Sequence, residues 1–389
     1  MKKVLILGAG VYQVPLIKKA KELGIYTIVT SIKGNYPGFD IADKVYYVNT
    51  TDCEEIYKIA VEEEIDALLT SGTDVAVKTI GYVNSKLGLI GVSEESSKLV
   101  TDKSLMKEAL VKGGVRTSQF GVADSFESAR ELAESIGYPV MFKCVNSSGS
   151  RGVIKVSSPD EVETSYNYAS SITDKTYIVI EKFIEGYEIG LDGFIGLGQS
   201  MFVPHSKLIY NNGKTNVPVG HEFPFDCSKN LYDDILEQAK LAVNALGLKT
   251  CFFNMDILID DDKSYIIEVG ARTGATCIPE LISAHYDFDF YKMMLDVALG
   301  EEVTVPTEAK YISVGKLLLS SKSGVVKEIT IPELNHREHI SIDVKIGDKV
   351  NEFMVGSDRI GQIIVSGEDK LAVYEQLETL ERGIILEVD

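Results

Sequence analysis

The chain has 389 residues, 45% hydrophobic and 25% charged, with 39 basic against 58 acidic side chains for a net charge of −19. That length allows about two to four domains with sizeable cores, and the acidic balance argues against a surface that coats nucleic acid. No apolar run is long enough to span a membrane, and the five scattered cysteines (Cys53, Cys144, Cys227, Cys251, Cys277) form no CxxC pair, so reduced thiols, no zinc site and a cytoplasmic location are expected.

The opening MKKVLILGAG has too short an apolar stretch, and no plausible cleavage site, for a secretory signal. It reads as a buried strand, Lys2–Leu7, turning at Gly8-Ala9-Gly10. A helical period runs from Val14 to Leu23, Gly24 stops it, and a second strand follows from Tyr26 to Thr30. Further units read as a helix over Ile56–Glu64, a strand over Ala67–Ser71, a helix over Val75–Leu87 and a short last strand, Leu89–Gly91. The pattern predicts a parallel sheet in a Rossmann-like domain, residues 1–98. A dinucleotide fingerprint needs a third glycine where Gln13 stands and an acid where Thr30-Ser31 stand. A tight strand–helix turn without a cofactor is the reading favoured there.

Asp102 is a fitting N-cap for a helix carrying Leu105, Met106, Ala109 and Leu110, ended by Gly113-Gly114. Lys103 then sits in the first turn, where a cation opposes the helix dipole. It is either a solvated lysine or one aimed at an anion. Ser125 caps the next helix, and the strand Tyr138–Phe142 delivers Lys143. Asn146–Gly152 follows as a small-residue hairpin tip before Val153–Val156. Such a tip is a flexible loop, or one whose backbone N–H groups close over phosphate oxygens. No acid lies in the next ten residues of that hairpin, so the Lys143 ammonium is expected to need an anion from elsewhere, with a triphosphate the natural one.

The strand Tyr177–Ile180 leads into Glu181-Lys182-Phe183-Ile184 and on to Glu188. Its exit offers backbone groups and apolar walls that suit a purine edge, although acids in such a stretch are commonly a solvated turn. Phe252–Ile259 and Tyr265–Val269 read as a hairpin around the solvated turn Asp260–Asp262. Asp256 and Glu268 then lie on neighbouring strands in apolar surroundings, where paired like charges need a cation between them. Oxygen-only ligands suit Mg²⁺. The alternative is a salt-bridged hairpin in which Arg272 satisfies Glu268.

In order and spacing these pieces resemble the ATP-grasp superfamily. The order is Lys103, Lys143, the 146–152 loop, the Glu181–Ile184 linker, Glu188, Asp256, Glu268 and Arg272, after a Rossmann-like domain. The tail, with Gly324-Val325-Val326 and Arg359–Ile364, looks like the small β domain of biotin-carboxylase-like and amino-acid-ligase members, and the chain as a whole resembles L-amino-acid-ligase-like proteins related to biotin carboxylase and carbamoyl-phosphate-synthase-type members. The resemblance implies an α/β fold with residues 1–98 as pre-ATP-grasp domain, 99–305 as ATP-grasp domain with a mobile lid near 117–190, and 306–389 as the β-rich C-terminal domain.

It implies ATP and Mg²⁺ (or Mn²⁺) as cofactors. Lys103, Lys143, Ser148 and Gly149 would hold the phosphates. Glu181, Phe183 and Ile184 would line the adenine, with Leu258 on its face and Glu188 at the ribose. Asp256 and Glu268 would bind the metal, and Arg272 would steady the transferred phosphoryl group. Many members carry an Asn two residues after the second carboxylate, and here that position is Gly270; water could complete the shell. The implied reaction is carboxylate–amine ligation through an acyl-phosphate, on small-molecule substrates, with no nucleic acid or membrane partner and a homodimer allowed. Alternatives are a bicarbonate-activating carboxylase and a non-catalytic nucleotide-binding protein. His205, Lys207, Asn211, His221 and Glu222 lie where substrate contacts often fall, yet each alone reads as surface; Cys277 and His285 are weaker candidates.

Overall fold

The computed structural model describes residues 1–147, 151–209 and 217–389. Strands Lys3–Leu7, Tyr26–Ser31, Lys44–Tyr47 and Ala67–Leu69 form a parallel sheet with Lys3–Leu7 and Tyr26–Ser31 at its centre. Val4–Leu7 are fully buried, as expected of a strand covered by helices on both faces. Gln13 occupies the glycine turn itself: its Oε1 accepts from Gly10 N (2.9 Å) and its Nε2 donates to Ser71 O (2.5 Å). A Cβ on Gly8, at φ +102°, would lie 2.8 Å from that Oε1, so the turn closes around the Gln13 side chain.

The expected strand at Leu89–Gly91 does not form. Gly88 (φ +69°) and Gly91 (φ +145°) turn the chain tightly between the helices Val77–Leu87 and Glu94–Thr101. The second of these helices is one the sequence pattern left unread.

Phe120–Ala123, Ile178–Lys182, Val140–Lys143 and Val153–Val156 build a separate antiparallel sheet. It has its own core of Val140, Phe142, Ile178 and Ile180 beneath Ala129, Ala133 and Ala169 of two helices. An eight-stranded antiparallel sheet runs in the order Lys263–Gly270, Cys251–Asp260, Tyr187–Gly196, Gln199–Ile209, Pro218–Phe223, Ile312–Leu318, Gly361–Gly367, Glu338–Ile342. Its last three strands come from the C-terminal segment, so that segment continues the large sheet.

The strand Cys251–Asp260 shows why one face of this sheet is functional. Cys251, Phe253, Met255, Ile257 and Ile259 point into a core shared with Leu231, Ile235, Ala239 and Ala242 of the helix Lys229–Ala245. Strict alternation then sends Asn254, Asp256 and Leu258 to the opposite face. Among the described residues no helix is long and apolar enough to cross a membrane.

Candidate active site

On that face, His205, Gly190, Asp256 and Glu268 stand abreast on four neighbouring strands. Asp192, Asn254 and Gly270 form the adjacent row. The hairpin register expected from sequence holds, with Asp256 directly opposite Glu268 and a bulge immediately after Asp256. Gly190 is required here, because a Cβ would lie 2.1 Å from the His205 ring.

Two lysines compensate the paired carboxylates. Lys207 bridges Asp256 and Glu188. Burial would lower the Lys207 ammonium, but the two carboxylates outweigh it and hold it above its ordinary value. Burial pushes Asp256 up, yet Lys207 more than offsets this and its carboxyl lies below the usual range. Glu188 goes the other way, raised by burial and by the Asp256 charge. Lys103 Nζ lies 3.0 Å from Glu268 Oε1 and donates to Ser147 O at 2.9 Å. It reaches there because Asp102 caps its helix, accepting from the N–H groups of Ser104 (3.0 Å) and Leu105 (3.2 Å).

The structure corrects one expectation about counter-charges and sets aside one alternative. Lys143 does have a protein partner, Glu181 at 3.0 Å, on the directly paired neighbouring strand, where Glu181 stands opposite Met141. Glu181 also takes Lys107 at 3.0 Å and the Ser118 hydroxyl at 2.6 Å. Burial raises the Glu181 carboxyl, but the two lysines outweigh it and bring it down to about 2. One carboxylate cannot fully compensate two ammonium groups, and burial leaves Lys107 lowered to about 8. Among the described residues Glu181 Oε1 remains a buried acceptor without a hydrogen-bond partner. Arg272, in turn, pairs with Asp74 rather than Glu268, through Nε (2.7 Å) and a second guanidinium nitrogen (2.6 Å). Asp74 lies on the segment after Ala67–Leu69, so this pair joins the N-terminal sheet to the site.

The other predicted residues are placed as follows. Phe183 and Ile184 are half-buried at the exit of the strand Ile178–Lys182, with Lys155 Nζ 3.7 Å from the Phe183 ring centroid. Leu258 is half-buried and in register with Glu188. Ser148, Gly149 and Asn211 lie outside the described residues.

His205, His221 and Glu222 are buried, contrary to the surface reading. His205 Nε2 meets Asp192 Oδ2 at 3.1 Å and its Nδ1 meets His221 Nδ1 at 3.1 Å. Burial and its neighbours' positive charge hold His221 well below the ordinary histidine value. Asp192 Oδ1 accepts the Gly274 N–H at 2.6 Å, tying the loop after Arg272 to the sheet. Glu222 accepts from Tyr374 OH at 2.6 Å and pairs with Lys370. Cys277 is buried at φ +69° and lines a small cavity with Tyr12 and Arg359. The His285 ring bonds Tyr311 O.

Sequence reasoning left out Lys107, Asp74 and Asn254, and weighed Lys207 only as a possible substrate contact that reads as surface. For Lys207 a signal existed: it shares its strand face with His205 two residues earlier. A divalent ion fits the arrangement. Two carboxylates stand in register with amines at hand as present counter-charges, and Mg²⁺ is usually held by one or two carboxylates plus phosphate oxygens. Among the described residues no group of three or more His, Cys, Asp or Glu is placed to hold an ion by itself.

The ATP-grasp domain family matches residues 100–276. This segment is an ATP-grasp domain. ATP and Mg²⁺ are the cofactors that go with it. Formate-dependent phosphoribosylglycinamide formyltransferase of Wolinella succinogenes is 26% identical over 349 residues, 85% of this chain and 84% of that protein. The crystal structure of phosphoribosylglycinamide synthetase from Anaerococcus prevotii superposes with a TM-score of 0.85 at 29% identity, over 100% of both chains. L-amino acid ligase from Bacillus licheniformis shares the fold, with a TM-score of 0.79 at 17% identity over 100% of this chain and 99% of that one. The relatives of this chain are enzymes.

Proposed function

We propose that this chain is an ATP- and Mg²⁺-dependent carboxylate–amine ligase that forms an amide through an acyl-phosphate and releases ADP and phosphate. The observation that carries the reading is the in-register pair Asp256–Glu268, with Lys207 on Asp256, Lys103 on Glu268 and Arg272 held close by through Asp74. Four carboxylates, Asp256, Glu268, Glu188 and Asp74, share these three cations, which leaves room for a divalent ion that would bring the anionic oxygens of a triphosphate with it.

In this reading Asp256 and Glu268 hold Mg²⁺, which neutralises charge on the transferring phosphoryl group. Lys103 and Lys143 give part of their charge to phosphate oxygens. The unpartnered Glu181 Oε1 accepts from the adenine amino group, between Phe183, Ile184 and Leu258. Glu188 accepts from ribose hydroxyls. A carboxylate oxygen of the substrate attacks the γ-phosphorus as the bond to ADP breaks, and Arg272, fixed by Asp74, stabilises the spreading charge. The amine then attacks the acyl carbon, phosphate leaves, and the amine proton passes to solvent. No protein nucleophile is needed. The boundaries near residues 98 and 305 go with this reading, the 120–182 sheet acting as the lid.

The names of the Wolinella and Anaerococcus proteins favour a phosphoribosyl-bearing partner over an amino-acid pair. The test is ADP release with MgATP across a matrix of carboxylates (formate, amino acids, bicarbonate) and amines (amino acids, phosphoribosylglycinamide). Release that needs one carboxylate and one amine together supports a ligase. Incorporation of labelled bicarbonate would favour a carboxylase, and ADP release indifferent to every acceptor would overturn both.

A further inference from the structure

Asn254 stands directly opposite Gly270 and two residues before Asp256, on the face that carries the carboxylates. Its Oδ1 is buried and has no hydrogen-bond partner among the described residues. Gly270 has no side chain to compete with it: a Cβ there would lie 2.5 Å from Asn254 Oδ1 and 2.9 Å from Asp74 Oδ1. The amide oxygen therefore fills the space that a side chain at position 270 would enter. Asp74 Oδ1 is already bound to Arg272 Nε, which leaves the amide oxygen as the unused acceptor in that space.

A buried acceptor without a donor is costly and calls for a ligand. The nearby donors Arg272 and Lys207 are already engaged by the carboxylates Asp74 and Asp256. A hard cation held by Asp256 and Glu268 is the ligand that suits this remaining oxygen, and neutral amide oxygens are ordinary ligands for such ions. We propose that Asn254 Oδ1 is a third protein ligand of the metal site, supplied from the strand facing Gly270, beside Asp256 and Glu268. The inference rests on the metal reading of those two carboxylates and extends it to a residue outside the predicted set.

The test is Mn²⁺ binding to the protein–ADP complex, read from the electron paramagnetic resonance signal of free Mn²⁺, so that no turnover is involved. Asn254→Ala should weaken Mn²⁺ binding about tenfold or more. The double variant Asn254→Ala/Gly270→Asn, which returns an amide to the vacated space from the other strand, should restore it. Should Asn254→Ala fail to fold, Asn254→Asp carries the test: an added charge on a true ligand tightens Mn²⁺ binding. Unchanged binding in Asn254→Ala overturns the proposal, as does a loss that the double variant leaves unrepaired, or an Asn254→Asp that binds no better. Glu268→Gln measured alongside separates the two layers. If it loses Mn²⁺ while Asn254→Ala keeps it, only the role of Asn254 fails. If both keep it, the metal reading itself fails.

Discussion

Asp74 and Arg272 lie 198 residues apart in the chain and meet through two charge-assisted hydrogen bonds of 2.7 and 2.6 Å. Arg272 is nearly buried and its guanidinium also donates to Thr273 O, so its planar fork is fixed in one orientation. The N-terminal domain thus orients a residue of the ATP-grasp domain that, in the proposed function, faces the transferring phosphoryl group.

Asp74→Ala should therefore slow turnover by about tenfold or more through loss of orientation, while nucleotide affinity changes little. Stability should fall by about 1–3 kcal/mol, the cost of leaving a charged group short of partners. Steady-state kinetics beside denaturant melts check both. An unchanged kcat would show that Arg272 is oriented by something other than Asp74.

Glu181 makes the protein sensitive to acid. Its folded-state carboxyl, held down to about 2 by Lys107 and Lys143 against the effect of burial, is lower than in the unfolded chain. The unfolded state therefore binds the proton more readily, and the stabilisation is present above the ordinary glutamate range and lost as pH falls toward 2. Urea unfolding at pH 6, 4 and 3 should show this decline. Glu181→Gln should lose about 3–5 kcal/mol at neutral pH, because it leaves two buried ammonium groups uncompensated. Its remaining stability should depend less on pH between 4 and 3 than that of the wild type.

Lys143→Ala should behave differently from Glu181→Gln, since Glu181 keeps Lys107 at 3.0 Å. The fold should survive with a modest loss. MgATP should raise the melting temperature of the wild type by mass action and that of Lys143→Ala much less. Equal shifts would remove Lys143 from the phosphate site.

Lys207→Ala uncovers two neighbouring carboxylates, Glu188 and Asp256, that now share one ammonium. A divalent cation should then replace the missing charge. Mg²⁺ alone, without nucleotide, should raise the melting temperature of Lys207→Ala more than that of the wild type. A response no larger than the wild type's would place Lys207 away from the ion.

The parts of the fold that were legible in sequence are those written locally. The apolar run Val4–Leu7, the Asp102 cap and the alternation that puts Asn254, Asp256 and Leu258 on one face are all set by neighbours within a few positions. The strand Lys44–Tyr47 was missed because it is half-exposed at a sheet edge and carries no buried run. The helix Glu94–Thr101 was missed because its inward face is mostly small and polar, with Ser96, Ser97 and Val100 buried. The site's counter-charges were not legible for a different reason. Asp74–Arg272, Lys107–Glu181 and Lys207–Asp256 join residues brought together only by sheet order and domain packing, which no local period records. Gly270 could be noticed in sequence; that Asn254 fills the space opposite it could not.

The central claim is that Asp256 and Glu268 bind the metal for amide formation, and Glu268→Gln tests it most directly. The substitution keeps the shape and removes the charge. With the carboxylate–amine pair that elicits ADP release from the wild type, we measure ADP and amide together, beside a melting curve for each protein. The account predicts one ADP per amide in the wild type, and in Glu268→Gln a loss of both products with the melting temperature within a few degrees of the wild type. Sustained ADP and amide formation by a clearly less stable Glu268→Gln would contradict it, because Glu268 would then be only the ion-pair partner of Lys103.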